Sequence, residues 1–97
     1  MILDAGTATV SSAGTAVQLS NTANRVLWLK AKALAANSGI TYIGVSDVSA
    51  TNGYELSAGN EIEINPGELG GSVAFSSAYV DAATNGDKVS WAVVLVG

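Results

Sequence analysis

Acidic and amide side chains near residue 81 are the first candidates for chemistry in this sequence. Asp81, Asn85 and Asp87 offer oxygen donors within a short stretch, and calcium binds oxygen ligands of this kind. Their spacing matches no EF-hand loop, however, and Asn, Asp and Gly are also the ordinary residues of turns. The sequence therefore favours a structural turn here and predicts no metal site.

Glu61 and Glu63 are a second candidate pair, because alternate residues of a strand lie on one face. Two neighbouring carboxylates can divide the roles of acid and base in hydrolysis. Ile62 and Ile64 occupy the opposite face. The simpler interpretation is an amphipathic strand whose glutamates are solvated.

Other catalytic chemistries lack the residues they require. The 97-residue chain contains no cysteine and no histidine, which excludes thiolate nucleophiles, imidazole bases and Cys/His zinc sites. It has neither a Gly-x-Ser-x-Gly elbow nor a Gly-x-x-x-x-Gly-Lys phosphate loop. We expect a protein that is not an enzyme, with no catalytic residues and no cofactor.

The charge balance narrows the class of partner. Eight acidic against four basic residues give a net charge of −4, whereas nucleic-acid binding requires a basic face. No stretch approaches the ~20 apolar residues of a membrane helix. Met1-Ile2-Leu3 is followed by Asp4 and carries no positive side chain, unlike a secretory leader. We expect no nucleic-acid partner, no membrane partner, and synthesis in a cytoplasm.

These side chains must be positioned by strands. Runs rich in Val, Ile, Thr and aromatic residues alternate with clusters of Gly, Asn and Ser. The pattern predicts one domain over residues 1–97, with an all-β fold: a small antiparallel β-sandwich, jelly-roll-like, of about eight short strands. The predicted strands are Thr7 to Val10, Ala16 to Ser20, Arg25 to Ala35, Ile40 to Val45, Tyr54 to Ser57, Glu61 to Asn65, Val73 to Asp81 and Lys88 to Val96.

Turn chemistry supports this division of the chain. The tetrapeptide Ala-Thr-Asn-Gly occurs twice, at 50–53 and at 83–86. Asn-Gly tolerates positive φ at both positions, as a type I′ hairpin turn requires. We therefore expect duplicated hairpin turns.

Alternation assigns faces to the two longest strands. The third predicted strand places on its core side Leu27, Leu29, Ala31 and Ala33, and on its outer side Val26, Trp28, Lys30 and Lys32. The last strand is apolar on both sides, with Val89, Trp91, Val93 and Leu95 opposite Ala92, Val94 and Val96. Such a strand is either central and covered on both faces, or its outer face meets another subunit.

Aromatic residues suggest a binding role. Trp28 shares its predicted face with two lysines, which indicates partial exposure, and Tyr54 directly follows an Asn-Gly turn. Such residues can stack on carbohydrate, anchor a protein interface or lie flat over the edge of a small core. Trp91 has only apolar neighbours, which favours a place in the core.

Six segments spread along the chain from residue 13 to residue 91 follow one another in a familiar order. They are Ala13 to Ser20, Leu29 to Ala31, Tyr42 to Val48, Asn52 to Gly59, Ala78 to Ala82 and Gly86 to Trp91. In this succession the chain resembles small β-sandwich virion proteins of tailed bacteriophages. The resemblance implies a role as a capsid decoration (cement) subunit, or as a head-fibre or spike module. It supplies no catalytic residues, and its typical loop is shorter than the stretch from Pro66 to Ser77, a candidate contact arm here.

The expected function is therefore that of a bacteriophage virion structural protein on the capsid surface. It would bind the major capsid protein and brace neighbouring capsomers as a homo-oligomer, most simply a trimer, because two-faced apolar strands gain stability through association. The expected interface residues are Trp28, Tyr54, Val94 and Val96. The alternative is a glycan-binding head-fibre or tail appendage, in which Trp28 and Tyr54 are stacking residues.

Overall fold

The chain pairs with itself from its two ends inward. In the computed structural model, which describes residues 1–97, four antiparallel pairs are nested: β1 (Ile2–Thr9) with β9 (Lys88–Leu95), β2 (Val17–Gln18) with β8 (Tyr79–Ala82), β3 (Arg25–Ala33) with β6 (Glu61–Ile64), and β4 (Thr41–Gly44) with β5 (Tyr54–Leu56). Successive pairs belong alternately to one sheet and to the other. This winding is that of a jelly roll.

Two sheets result. One has the order β1-β9-β3-β6 and the other the order β2-β8-β4-β5. A further strand, β7 (Val73–Ala74), pairs with the start of β3 and makes the first sheet five-stranded. The all-β sandwich expected from the sequence is confirmed, with nine strands instead of eight.

Two predicted strands differ substantially from those of the structure, and the others differ by at most two residues at either end. β1 begins at Ile2 and not at Thr7, because its pairing with β9 continues to that end. The predicted strand from Val73 to Asp81 is broken by a short 3₁₀-helix, Phe75–Ser77, between β7 and β8. The break carries the chain from the five-stranded to the four-stranded sheet. This helix and a second one, Pro66–Leu69, are both far too short to cross a bilayer.

The core lies between the sheets and contains an aromatic pair. Phe75 and Trp91 meet edge to face, with ring centroids 4.9 Å apart, a favourable arrangement for two aromatic rings. Gly6 on the neighbouring strand leaves room for the indole, because a Cβ at Gly6 would stand 2.6 Å from Trp91 Cζ2. The expected core position of Trp91 is confirmed.

The alternation of β3 is interrupted near its start. Val26 pairs with Leu95 but Trp28 pairs with Val94, so the register shifts at Leu27. Such a bulge places one extra residue in the strand and resets which residues face inward. The prediction that Leu27 faces the core and Val26 faces outward was therefore wrong: Val26 is buried and Leu27 only half-buried. The predicted core residues after the bulge are confirmed: Leu29, Ala31 and Ala33.

The repeated tetrapeptide adopts two different conformations. At 50–53 the two-residue turn is Ala50-Thr51, closed by reciprocal backbone hydrogen bonds between Ser49 and Asn52. At 83–86 the turn is centred on Asn85 and Gly86, and only the glycine has positive φ, +86°. No asparagine in the chain has positive φ, so the expectation of type I′ geometry at both copies was wrong.

Candidate interaction surface

The outer face of the four-stranded sheet is covered by the chain's own loops. Alternation along β4 and β8 turns Tyr42, Gly44 and Asp81 away from the core, yet Tyr42 and Asp81 are buried. Val48, in the loop after β4, lies over Gly44, where a Cβ would be 3.2 Å from Val48 Cγ2. Loops thus cover the middle of this face, while Gln18 and Glu55 on its edge strands stay exposed.

Asp81 holds one of the covering loops in place. It is 2% exposed, and its Oδ1 accepts hydrogen bonds from the backbone N–H groups of Gly14 at 2.9 Å and Ala82 at 2.8 Å. Asn85 Oδ1 accepts from the N–H of Ala13 at 2.7 Å. The two side chains together anchor the loop between β1 and β2.

Asp87 has the same role at another connection. Its Oδ1 accepts from the N–H of Ser38 and its Oδ2 from the N–H of Gly39, both at 2.9 Å. The oxygens considered for calcium thus accept backbone hydrogen bonds from loops. The structure contains no group of three or more acidic side chains placed to hold a metal ion.

The outer face of the five-stranded sheet has no such cover. We define this surface, the open face, as the outward-pointing residues of four neighbouring strands. None of these residues is buried. They are Leu3, Ala5, Thr7 and Thr9 of β1; Ser90, Ala92 and Val94 of β9; Trp28, Lys30 and Lys32 of β3; and Glu61 and Glu63 of β6.

One end of the open face is apolar. Leu3 pairs with Val94, and Val94 pairs with Trp28, so these three side chains form a row across β1, β9 and β3. Leu3 is 78% exposed. The next row begins with Ala5 and Ala92, whose small side chains let another molecule approach the sheet closely.

The other side of the open face is charged. Trp28 Nε1–H donates to Glu63 Oε2 at 2.7 Å, and Lys30 Nζ lies 3.2 Å from Glu61 Oε1. Each glutamate therefore has its own partner on β3, and both are exposed, as predicted for a solvated strand face. Lys30 and Glu61 form the single ion pair of the structure, so Lys32 is left without an acidic partner.

The predicted interface residues are only partly brought together. Trp28 and Val94 are direct neighbours across strands, and Val96, just past the end of β9, is exposed. Tyr54 instead belongs to β5, in the other sheet, and is 60% exposed. The one close aromatic pair in the molecule is Phe75 with Trp91, so Trp28 and Tyr54 do not form a joint stacking platform.

The loop from Pro66 to Ser77 is fastened to the sandwich. Arg25 donates from Nε to Ser72 Oγ at 2.8 Å and from Nη2 to Ser72 O at 2.9 Å, and Phe75 is buried. Sequence reasoning treated this stretch as a candidate arm. In the structure the exposed part of this stretch is mainly the turn at residues 67–71, where Leu69 is 90% exposed.

Sequence reasoning missed the contribution of β1 to the open face. The predicted first strand begins at Thr7 and so omits Leu3 and Ala5. The alternation of Leu3, Ala5 and Thr7 is the signal that could have extended the strand.

Comparison of the chain with protein-family models, with curated proteins and with solved structures gives no match. Any functional argument therefore depends on the geometry of the two sheet faces. One face is uncovered, with an apolar end and a charged side, and the chain's own loops cover the opposite face.

Proposed function

We propose that this chain is a non-enzymatic structural subunit of a bacteriophage virion, a capsid decoration protein that binds the major capsid protein through its open face. One observation carries the proposal. The outer side of the five-stranded sheet is uncovered and carries the exposed Leu3 and the half-buried Val94 and Trp28 in one row, whereas loops of the same chain cover the middle of the opposite sheet. The resemblance to small phage virion proteins supplies the identity of the partner.

The mechanism is mass action. A protein that binds only the assembled, folded capsid stabilises that state in proportion to its occupancy. Each Å² of apolar surface buried at the contact contributes roughly 25 cal/mol before the costs of association. The apolar row provides this area, and Lys32 offers an unpaired cation that would favour an acidic site on the capsid.

The overall charge is compatible with this location. A net charge of −4 disfavours adhesion to packaged DNA, because like charges repel. The subunit therefore has no electrostatic reason to bind nucleic acid in preference to the shell.

Co-sedimentation with capsids tests the proposal. Capsids assembled from the major capsid protein encoded with this chain are mixed with wild-type protein or with Leu3→Asp, which adds a charge to the apolar row. We expect the wild type to pellet with the capsids and Leu3→Asp to stay in the supernatant. Ala50→Asp, the same charge on an exposed loop of the covered side, is the control and should bind normally. Equal binding of all three proteins, or none by the wild type, would refute the proposal.

A second candidate function, glycan binding by a virion appendage, is favoured by the surroundings of Tyr54. A shallow pocket of about 500 Å³ is lined by Tyr54, Glu55, Asn60 and Glu61, and an aromatic ring beside acceptor side chains is suited to sugar hydroxyls. On this hypothesis Tyr54→Ala abolishes retention on a glycan array, while Leu3→Asp does not. An array without any bound glycan would remove this candidate.

A further inference from the structure

A second apolar surface lies away from the open face. A groove of about 600 Å³ opens at the edge of the sandwich where β6 and β7 pair with β3. Residues of both sheets contribute to it. Its lining is mostly apolar and includes Leu29, Ile64 and Phe75, with Val45 exposed at its margin. Arg25 is the single charged residue in this lining.

Beside the groove, the connection between β6 and β7 presents an apolar side chain to solvent. Leu69, the last residue of the 3₁₀-helix Pro66–Leu69, is 90% exposed. The helix is ordered at both ends: Asn65 Oδ1 accepts from the N–H of Glu68, and Gly70, with φ of +80°, closes it by donating to Gly67 O. Leu69 is thus held outward by a defined turn, which lowers the entropy lost when it is bound.

The charges of groove and turn are complementary. Two N–H groups of Arg25 bind Ser72, which leaves other guanidinium donors free. Arg25 has no acidic partner, and Glu68, next to Leu69, has no basic one, since Lys30 and Glu61 form the single ion pair. A cation borders the groove and an anion adjoins the projecting leucine.

We propose that this edge is a contact between two copies of the chain, in which Leu69 of one copy enters the groove of the next and Glu68 pairs with its Arg25. Leu69 cannot be filling its own groove, because it is almost fully exposed. Because each copy carries both the projection and the groove, the contact can form in a two-fold dimer or head to tail in a ring. This contact is independent of capsid binding, which the open face would serve.

Sedimentation equilibrium over a range of concentrations tests the contact. We expect wild-type protein to self-associate and Leu69→Asp to raise the dissociation constant roughly tenfold or more, as expected for losing one buried leucine. Leu3→Asp, the same substitution on the open face, is the matched control and should associate like the wild type. Circular dichroism verifies that both variants fold. Loss of self-association in Leu69→Asp with retained capsid binding separates this contact from the proposed function.

Charge exchange tests the pairing itself. Glu68→Arg and Arg25→Glu should each weaken association. The double variant should restore part of it, because every contact again joins opposite charges although Arg25→Glu also removes the donors to Ser72. An equimolar mixture of the two single variants should recover full association if the contact forms a two-fold dimer, because both of its charge pairs then join opposite charges. It should recover only part if the contact forms a three-membered ring, in which two copies of one variant must be neighbours. A double variant no stronger than the single ones overturns the pairing.

The groove could instead hold a small apolar ligand, and that outcome is distinguishable. In that case wild-type protein stays monomeric at every concentration, and the dye ANS binds it as well as it binds Leu69→Asp. Either this result or an oligomer that Leu69→Asp leaves intact overturns the proposal. We expect ANS fluorescence to be higher for Leu69→Asp, whose groove is vacant.

Discussion

The outer faces of the two sheets are built on the same alternation but end differently. On the four-stranded sheet, loops fold back over Tyr42 and Asp81 and bury them. On the five-stranded sheet no loop buries the outward-facing residues: Leu3 is exposed and Val94 is half-buried. The difference lies in the connections: Asp81 and Asn85 receive hydrogen bonds from one loop, and Val48 brings another over Gly44.

This comparison shows how a small sandwich divides stability from binding. On the covered face, the buried carboxylate of Asp81 and the buried side chain of Val48 hold the loops in place. Substitutions there should therefore affect folding. The open face keeps its polar groups in exposed pairs, which contribute little to stability. Substitutions there should affect association and should lower the free energy of unfolding by no more than about 1 kcal/mol.

The largest effect is expected at Asp81. Asp81→Ala leaves the N–H groups of Gly14 and Ala82 without an acceptor, and we expect it to lower the free energy of unfolding by about 3 kcal/mol. Urea denaturation followed by tryptophan fluorescence measures the change. Asp47→Ala, at an exposed aspartate, is the control and should stay within about 0.5 kcal/mol. Equal effects of the two substitutions would contradict the anchoring role.

A matched pair of valines compares the two faces directly. Val48→Ala removes two buried methyl groups from the covered side and should cost about 1.5 kcal/mol of unfolding free energy. Val94→Ala, on the half-buried open face, should cost distinctly less and should instead weaken capsid binding. If Val94→Ala proves the more destabilising, the open face is part of the monomer's core and not a contact surface.

A smaller effect is expected at Trp28. Trp28→Phe keeps an aromatic ring but removes the Nε1–H that donates to Glu63. We expect it to lower the free energy of unfolding by about 1 kcal/mol. Glu63→Gln retains an acceptor and should lose less. Thermal unfolding of the two variants measures the order, and the reverse order would show that the carboxylate has another role.

The smallest effect is expected at the ion pair. Lys30→Ala removes the contact with Glu61 and should change the free energy of unfolding by about 0.5 kcal/mol. The effect is small because the side chains of Lys30 and Glu61 are 42% and 53% exposed. Because salt screens exposed charges, the difference should vanish in about 1 M NaCl. A difference that persists at high salt would mean that the lysine's aliphatic chain, and not its charge, supports the sheet.

Much of the fold was predictable because the signals for strands, alternation and turn residues, are carried by residues close together in the chain. The alternation of Glu61 to Ile64 correctly predicted a solvated outer face. The apolar residues on the same side of the strand as Trp91, Val89 and Val93, correctly predicted its burial. The errors have a local cause as well. At Leu27 a single extra residue shifts the register and exchanges inside for outside, and no residue type there marks the bulge.

The identical tetrapeptides at 50–53 and 83–86 show the limit of local reasoning most directly. The first is closed by Ser49 and Asn52, and the second donates from Gly86 N–H to Val10 O, a residue far away in the chain. Identical sequences thus form different turns: a neighbouring residue closes the first, whereas a distant segment binds the backbone of the second.

The sequence by itself determined an all-β sandwich and the approximate positions of its strands, because period-two alternation and turn residues act over a few neighbouring positions. Only the tertiary structure decided the nested strand order, which sheet face stays open, and the placement of Leu69 beside an apolar groove. Those features depend on contacts between residues distant in the chain, such as Gly14 with Asp81 and Ser38 with Asp87. Local patterns carry no record of which distant segments will meet.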